Sequence, residues 1–402
     1  MTYLQLLSRF FLVIFLILLI ISIYKGITTL PFEGDSINYH IPIAQNIISG
    51  NFITQKNIIN IERWYPGASE IILSFFILLG VPLNLFNILA IIIFAIVLYK
   101  LGMMFMKNKE LSIIYSMSIV TLYGVFRLAN TQNIDIWFAI YFILLLMFLE
   151  KPKESIFYYL KLGLFSGLLI GSKYTGPIFF SVLAIFYLKS FLQHINIKKL
   201  IMFLIPFSIF GLFWYIRNWL LTGSPLYPQS LLFFKGLEGW HSYLEVPMWQ
   251  AFIKTPFMMV NAYISELMFW PILFLGIPIF IYLLKKKKNV KPILSLNKIL
   301  FIPIFCFLIY LFFPYDNKYE GMILSVRYIF SVIALLGLVV FVFVEKLKID
   351  KIISTLLITS VLPIFFNPYR PKMIYFYEPF VFLISFYALF KTKLKLKIFK
   401  HL

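Results

Sequence analysis

Charged residues are scarce in this chain of 402 residues, and acids are the scarcer sign, with 16 Asp and Glu against 36 Lys and Arg. Only 13% of the side chains are charged, 61% are hydrophobic, and the mean hydropathy is +0.92. Soluble domains carry roughly 25% charged residues. The composition therefore excludes a soluble globular protein and predicts an all-α polytopic membrane protein.

Cysteine is nearly absent, because Cys306 is the single one in the chain. The sequence thus excludes an intramolecular disulfide and a cysteine-rich metal site. No small-residue cleavage site follows the first apolar run, which predicts a retained signal anchor. Since no long polar stretch flanks the apolar runs, we expect residues 1–402 to form a single transmembrane domain without a separate soluble domain.

Apolar runs of membrane-spanning length recur along the whole chain. A spanning helix needs about 20 mostly apolar residues, and the pattern predicts about twelve such helices. The predicted spans are residues 10–24, 83–99, 111–128, 134–149, 156–171, 175–188, 199–216, 263–284, 299–313, 325–344, 352–366 and 374–390. The apolar run 69–79 is too short to cross and is predicted as a juxtamembrane helix of the first external loop.

The net charge of +20 is distributed by membrane side. In a soluble domain it would indicate a nucleic-acid partner. On the predicted topology, however, the cytoplasmic segments hold 23 Lys and Arg against five acids, whereas the external segments hold 12 against 11. This is the positive-inside pattern, strongest at Lys285–Lys288. We expect a multi-pass plasma-membrane protein with cytoplasmic termini, the lipid bilayer around it, and no nucleic-acid partner.

The polar residues able to do chemistry concentrate on the predicted external side, chiefly in loops 25–82 and 217–262. In the first loop, Glu33, Asp35, Tyr39 and His40 lie within eight residues. An alternative interpretation of this window is structural, with Asp35 as the N-cap of a helix beginning at Ser36.

Single ionisable residues follow on the same predicted side of the membrane. Asp135 stands at the mouth of a span, where it, or Asn133, is alternatively a helix cap; ionisable groups at membrane depth are usually functional. Lys173, Arg217 and Arg327 each place a cation near the external interface, where a phosphate is a fitting partner. The alternative for such cations is contact with lipid headgroups.

The spans themselves are nearly uniformly apolar. A transporter should line a path through the membrane with polar or broken helices. The pattern therefore favours an enzyme whose site lies at the external membrane surface.

Residues 1–230 contain, in this order, GDSINYHIPIAQNIISGNF, YPGASEIILSFFILLG, the lone external Asp135, GLLIGSKYTGP and WYIRNWLLTGSPLYP. Taken together in this order, these segments resemble the GT-C class of integral-membrane glycosyltransferases. The most similar branch is the family 39-like group of protein O-mannosyltransferases and the lipid A aminoarabinose transferase. The chain departs from it by lacking a large C-terminal soluble domain and by having Trp64-Tyr65-Pro66-Gly67 in place of a Lys-Pro-Pro run.

The resemblance implies transfer of a sugar from a polyprenyl-phosphate carrier to a glycan, lipid or protein acceptor on the extracytoplasmic face. It implies a catalytic, acceptor-activating role for Asp35, a second site acid at Asp135, and contacts of Lys173 and Arg217 with the lipid phosphate. Glu33, Tyr39, His40 and Arg327 are further candidates for substrate binding.

The sequence leaves open a metal site and two alternative functions. A divalent cation, Mg or Mn, held by Asp35 and Asp135 is one alternative for these acids, because hard cations favour carboxylate oxygens. A flippase or exporter of lipid-linked glycans or polysaccharide is the alternative function. A second alternative function is that of a non-catalytic membrane assembly protein.

Overall fold

The computed structural model describes residues 3–347, except 56–57, 59–60, 231–232, 238–246, 267–296 and 314–323. Within these ranges the regular secondary structure is helical, with no β-strand. The α-helices are Tyr3–Thr28, Ile41–Ile48, Glu70–Leu78, Phe86–Phe105, Lys109–Val120, Tyr123–Phe126, Asp135–Glu150, Ile156–Ser172, Gly176–His194, Ile197–Phe207, Phe213–Thr222, Met248–Lys254, Pro256–Glu266, Asn297–Tyr310 and Phe330–Leu347. Short π- or 3₁₀-helical segments are Ser36–His40, Ile61–Trp64, Leu83–Leu85, Ser208–Leu212 and Arg327–Ile329.

Five helical stretches among the described residues are long and apolar enough to cross a membrane. They are Leu4–Thr28, Leu83–Phe105, Gly176–Gln193, Ile197–Thr222 and Leu324–Lys346. The prediction of an all-α, membrane-embedded protein is confirmed at this level. The predicted spans 352–366 and 374–390, most of span 263–284, and the Lys285–Lys288 cluster lie outside the described residues.

Two predicted spans differ from the helices observed. The span 111–128 is divided into Lys109–Val120 and Tyr123–Phe126, because the Leu122 backbone (φ −55°, ψ 139°) leaves the helical region, and the preceding Thr121 hydroxyl donates to the carbonyl of Met117. The helix predicted to surface at residue 216 continues to Thr222, where Gly223 in the left-handed conformation (φ 77°) ends it. Arg217 is therefore inside a helix and not at its end.

Glycines at every fourth position bring two helices into backbone contact, as the sequence predicts. A Cβ at Gly163 would lie 2.0 Å from the carbonyl oxygen of Phe203, and one at Gly171 would lie 1.9 Å from that of Phe210. Any side chain at these positions would separate the helices. This contact fixes the end of helix Ile156–Ser172, and with it Lys173, the next residue in the chain.

The first loop, predicted to be external, has its own helices. The predicted juxtamembrane helix 69–79 is observed as Glu70–Leu78, with Leu73 buried and Leu78 exposed. It packs against helix Ile41–Ile48. The loop is tied to the membrane helices by a hydrogen bond from the Ala68 amide to the Gly171 carbonyl (2.9 Å) and by one between the Ser69 and Ser172 hydroxyls (2.8 Å).

Candidate active site

A cavity of about 150 Å³ lies where four distant parts of the chain meet. These parts are the first loop, the start of helix Asp135–Glu150, the turn after helix Ile156–Ser172, and the segment around Arg327. The side chains on its wall are mostly ionisable or hydroxylated. They include Tyr39, His40, Tyr65, Glu70, Asn133, Asp135, Ser172, Lys173, Tyr174, Thr175, Arg327 and Tyr328.

Asp35 does not cap the helix that follows it. Its backbone is already helical (φ −59°, ψ −39°), and its side chain makes no capping hydrogen bond. Glu33 caps instead, since its Oε2 accepts from both the amide and the hydroxyl of Ser36 at 2.8 Å. The Asp35 carboxylate is thereby left for another partner, and its Oδ2 accepts a hydrogen bond from Arg327 Nη2 (2.8 Å).

Asp135 is buried at the first position of its helix, and neither it nor Asn133 caps that helix. The Lys173 ammonium donates to Asp135 Oδ1. The same ammonium lies 4.5 Å from the centre of the Tyr328 ring, within the range of a cation–π contact. Only 17% of the Lys173 side chain is exposed, so this cation is held inside the protein and does not extend to the headgroups.

Arg327 connects the two acids. Besides its hydrogen bond to Asp35, its Nε lies 3.4 Å from Asp135 Oδ2 and its Nη1 donates to Asn133 Oδ1 (3.1 Å). Asn133 is itself held by Asn87, whose amide donates to the Asn133 carbonyl at 2.8 Å. The planar guanidinium is the cation whose several fixed donors fit such a three-partner arrangement.

His40 and Glu70 form a second polar pair on the cavity wall. His40 Nδ1 lies 2.7 Å from Glu70 Oε1, and the two residues are only 2% and 1% exposed. The Tyr39 ring packs beside the imidazole, with 4.1 Å between ring centres. Burial and the nearby Asp35 carboxylate raise the pKa of Tyr39 well above its ordinary value, so its hydroxyl stays a neutral hydrogen-bond donor.

Arg217 does not line the cavity. It is 3% exposed, and its guanidinium donates to the carbonyl of Trp64 (2.9 Å) and to the Asn218 side chain (2.7 Å). Asn218 in turn donates to the same Trp64 carbonyl (2.9 Å). Arg217 thus anchors the end of the first loop to helix Phe213–Thr222.

Of the eight site residues predicted from the sequence, five line the cavity: Tyr39, His40, Asp135, Lys173 and Arg327. Asp35 does not line the cavity but accepts a hydrogen bond from Arg327, which does. Glu33 caps the short helix that begins at Ser36, and Arg217 anchors the end of the first loop. Glu70, Asn133 and Tyr328 were missed. Glu70 had a usable signal, because it is the one acid in an otherwise apolar juxtamembrane helix; the asparagine and the tyrosine had none.

The donor set at Asp35 and Asp135 does not fit a metal ion. Arg327 is shared by both carboxylates, and Lys173 occupies the other oxygen of Asp135. Among the residues that the structure describes, no group of three His, Cys, Asp or Glu side chains is arranged to hold a cation.

The chain was compared with protein-family models, with curated proteins and with solved structures, and none of the three comparisons gives a match.

Proposed function

We propose that this protein is a membrane glycosyltransferase that moves a sugar from a polyprenyl-phosphate carrier to a glycan, lipid or protein acceptor. The observation that carries the proposal is the Asp35–Arg327–Asp135–Lys173 chain of charges at a small cavity. Two acids hold two cations in fixed positions, and Asp135, Arg327 and Lys173 are largely buried, whereas the Asp35 side chain is 36% exposed. Such preorganised charge is what a reaction that expels a phosphate requires.

The leaving group of this reaction is a lipid phosphate that gains charge as the bond to the sugar breaks. An ammonium has three N–H donors, and Lys173 uses one of them for Asp135. The others are available for a phosphate oxygen, together with the hydroxyl of Tyr39. Charge-assisted hydrogen bonds of this kind are about twice as strong as neutral ones.

The volume of the cavity limits the size of the group that it can enclose. Pockets for drug-sized ligands measure about 300–1,000 Å³, whereas this one measures about 150 Å³. Its size fits a small group such as one sugar ring, with the lipid chain outside. Tyrosine rings and hydroxyls on its wall, as at Tyr65 and Tyr174, are suitable partners for the faces and hydroxyls of a sugar.

On this proposal the chain crosses the plasma membrane about twelve times in the GT-C arrangement. Both termini are cytoplasmic, and the cavity opens on the extracytoplasmic side. The support is the split of charge between the two sides, with 23 Lys and Arg in cytoplasmic segments and near balance outside.

The test is transfer by the purified full-length chain in liposomes. Radiolabelled undecaprenyl-phosphate hexoses and pentoses serve as donors, and membranes from cells lacking the protein supply the acceptor. We expect Asp135→Asn to reduce transfer roughly 100-fold or more, the scale for loss of one preorganised electrostatic group. The control is Glu154→Gln, which alters an exposed acid far from the cavity. No transfer by wild-type protein from any donor would contradict the proposal.

A further inference from the structure

The proposed glycosyl transfer needs a group that takes the proton of the acceptor hydroxyl. Resting on that proposed function, we infer that His40 is this base and that Glu70 is the residue that positions it. Three features of the structure support this assignment: which atoms of His40 are occupied, where the imidazole lies, and what occupies the competing carboxylates.

The two ring nitrogens of His40 differ in their partners. Nδ1 is paired with Glu70 Oε1 at 2.7 Å. Nε2 makes no hydrogen bond to any group in the part of the chain that the structure describes. With a carboxylate at Nδ1, the neutral ring carries its proton there, and Nε2 is left as an acceptor. A carboxylate on one nitrogen that sets the tautomer and the orientation of the other is the arrangement found in histidine-based catalysis.

The imidazole lies in the cavity on a different segment from the cation. His40 and Glu70 both line the cavity on the side formed by the first external loop, whereas Lys173 comes from the turn after a membrane helix. The proton acceptor and the cation proposed for the phosphate are thus on different segments around one space. A base and a phosphate-binding cation that line one small cavity can both act on a single bound sugar.

Two of the competing carboxylates, Asp35 and Asp135, are already engaged with cations, whereas Glu70 is paired with His40 through Oε1 and its Oε2 has no partner in the described part of the chain. Asp35 Oδ2 accepts from Arg327, and Asp135 has a cation at each of its oxygens. Asp35 also does not line the cavity, although the sequence indicates it as the base. These two carboxylates are engaged with cations, and the imidazole nitrogen is not. Asp35 and Asp135 are therefore assigned to holding Arg327 and Lys173.

The transfer step forms one bond, breaks one bond and moves one proton. The acceptor hydroxyl oxygen forms a bond to the anomeric carbon of the sugar, and the bond from that carbon to the phosphate oxygen breaks with its electron pair leaving on the phosphate. The hydroxyl proton moves to His40 Nε2. The products are the glycosylated acceptor, polyprenyl phosphate and an imidazolium. Glu70 at Nδ1 and the Asp135 carboxylate, which is near the same ring, stabilise that imidazolium, while the neighbouring Tyr39 remains neutral.

The competing explanation is that His40 and Glu70 only fasten helix Ile41–Ile48 to helix Glu70–Leu78. The variant His40→Asn separates the two explanations. An asparagine amide can replace Nδ1–H as the donor to Glu70 but has nothing in place of Nε2. We expect transfer to fall roughly 100-fold, the usual scale for a general base. Binding of undecaprenyl phosphate and the melting temperature should stay near the wild-type values. Asn38→Ala, at an exposed position on the same short helix, is the control and should be fully active.

Two further measurements test the role directly. Added imidazole should restore part of the transfer to His40→Ala but none to Asp135→Asn, a rescue that a purely structural histidine would not show. Glu70→Gln should lower kcat with little change in KM, because it disturbs the tautomer and not the binding of the donor.

Full transfer by His40→Asn would overturn the inference and leave the proposed function intact. The inference also fails, with the proposed function still intact, if His40→Ala is folded and inactive and imidazole does not rescue it. Absence of transfer by wild-type protein would overturn the proposed function, and this inference with it.

Discussion

Arg327 and Asp35 are 292 positions apart in the chain and are joined by a 2.8 Å hydrogen bond from Nη2 to Oδ2. The same guanidinium lies against Asp135. One cation from a late apolar helix therefore fixes an acid of the first loop relative to an acid of a third segment. Arg327 contacts both acids, and its charge together with that of Lys173 compensates theirs.

Substitution of Arg327 should damage both folding and chemistry. Arg327→Lys keeps the charge, but an ammonium lacks the planar fork that reaches both acids and Asn133. We expect transfer to fall at least ~10-fold. Arg327→Met removes one of the two cations at buried Asp135 and the cation partner of Asp35, whose side chain is 36% exposed. Because Lys173 still compensates Asp135, we expect the loss of stability to be smaller than the ~3–5 kcal/mol of a buried pair that is broken outright. Transfer assays and thermal melts measure the two effects, with Arg9→Lys, at an exposed position, as the control. Wild-type transfer by Arg327→Lys would show that the bridge between the acids is not required.

Arg217 should behave differently, because its contacts are structural. Arg217→Lys removes the guanidinium donors of the Asn218 side-chain oxygen, whereas the Trp64 carbonyl keeps its donors Asn218 and Tyr174. A buried group without a partner costs about 1–3 kcal/mol. We expect a lower melting temperature and, per folded molecule, transfer and carrier affinity close to wild type. A normal melt combined with weaker binding of undecaprenyl phosphate would instead support the phosphate contact that the family resemblance implies for Arg217.

Residue patterns predicted the parts of this molecule that depend on local sequence. Hydropathy predicted the five helical stretches that are long and apolar enough to cross a membrane, out of about twelve predicted spans, and the spacing of Gly163, Gly167 and Gly171 predicted the close helix contact. The sequence predicted those cavity residues whose polarity stands out against an apolar background, such as Asp135 and Lys173. Asn133 had no such signal.

What could not be predicted was the pairing between distant segments. Nothing in the sequence near Asp35 indicates Arg327, and nothing near His40 indicates Glu70, since these contacts exist only once the first loop is folded against the membrane helices. The same limit applies to Arg217, for which a cation at an interface predicted phosphate. The structure instead places its donors on backbone and amide oxygens.

The side of the membrane on which the cavity opens can be tested by labelling. Cys306 is the single cysteine of the sequence, so Cys306→Ala gives a background without cysteine. Asn51→Cys and Lys151→Cys then place one exposed thiol in the first loop and one in a predicted cytoplasmic loop. A membrane-impermeant maleimide should label position 51 in intact cells, and position 151 only after permeabilisation. The reverse pattern would place the cavity on the cytoplasmic side.

We propose that the cavity binds a lipid phosphate through Lys173. The most direct measurement is the affinity of the purified full-length chain for undecaprenyl phosphate compared with undecaprenol, which has the same chain and no charge. We predict that wild-type protein binds the phosphate at least ~10-fold more tightly, a difference of about 1.4 kcal/mol. In Lys173→Met this preference should disappear, while the affinity for undecaprenol is unchanged. Equal affinity of wild-type protein for the two lipids, or a phosphate preference that survives in Lys173→Met, would contradict the claim.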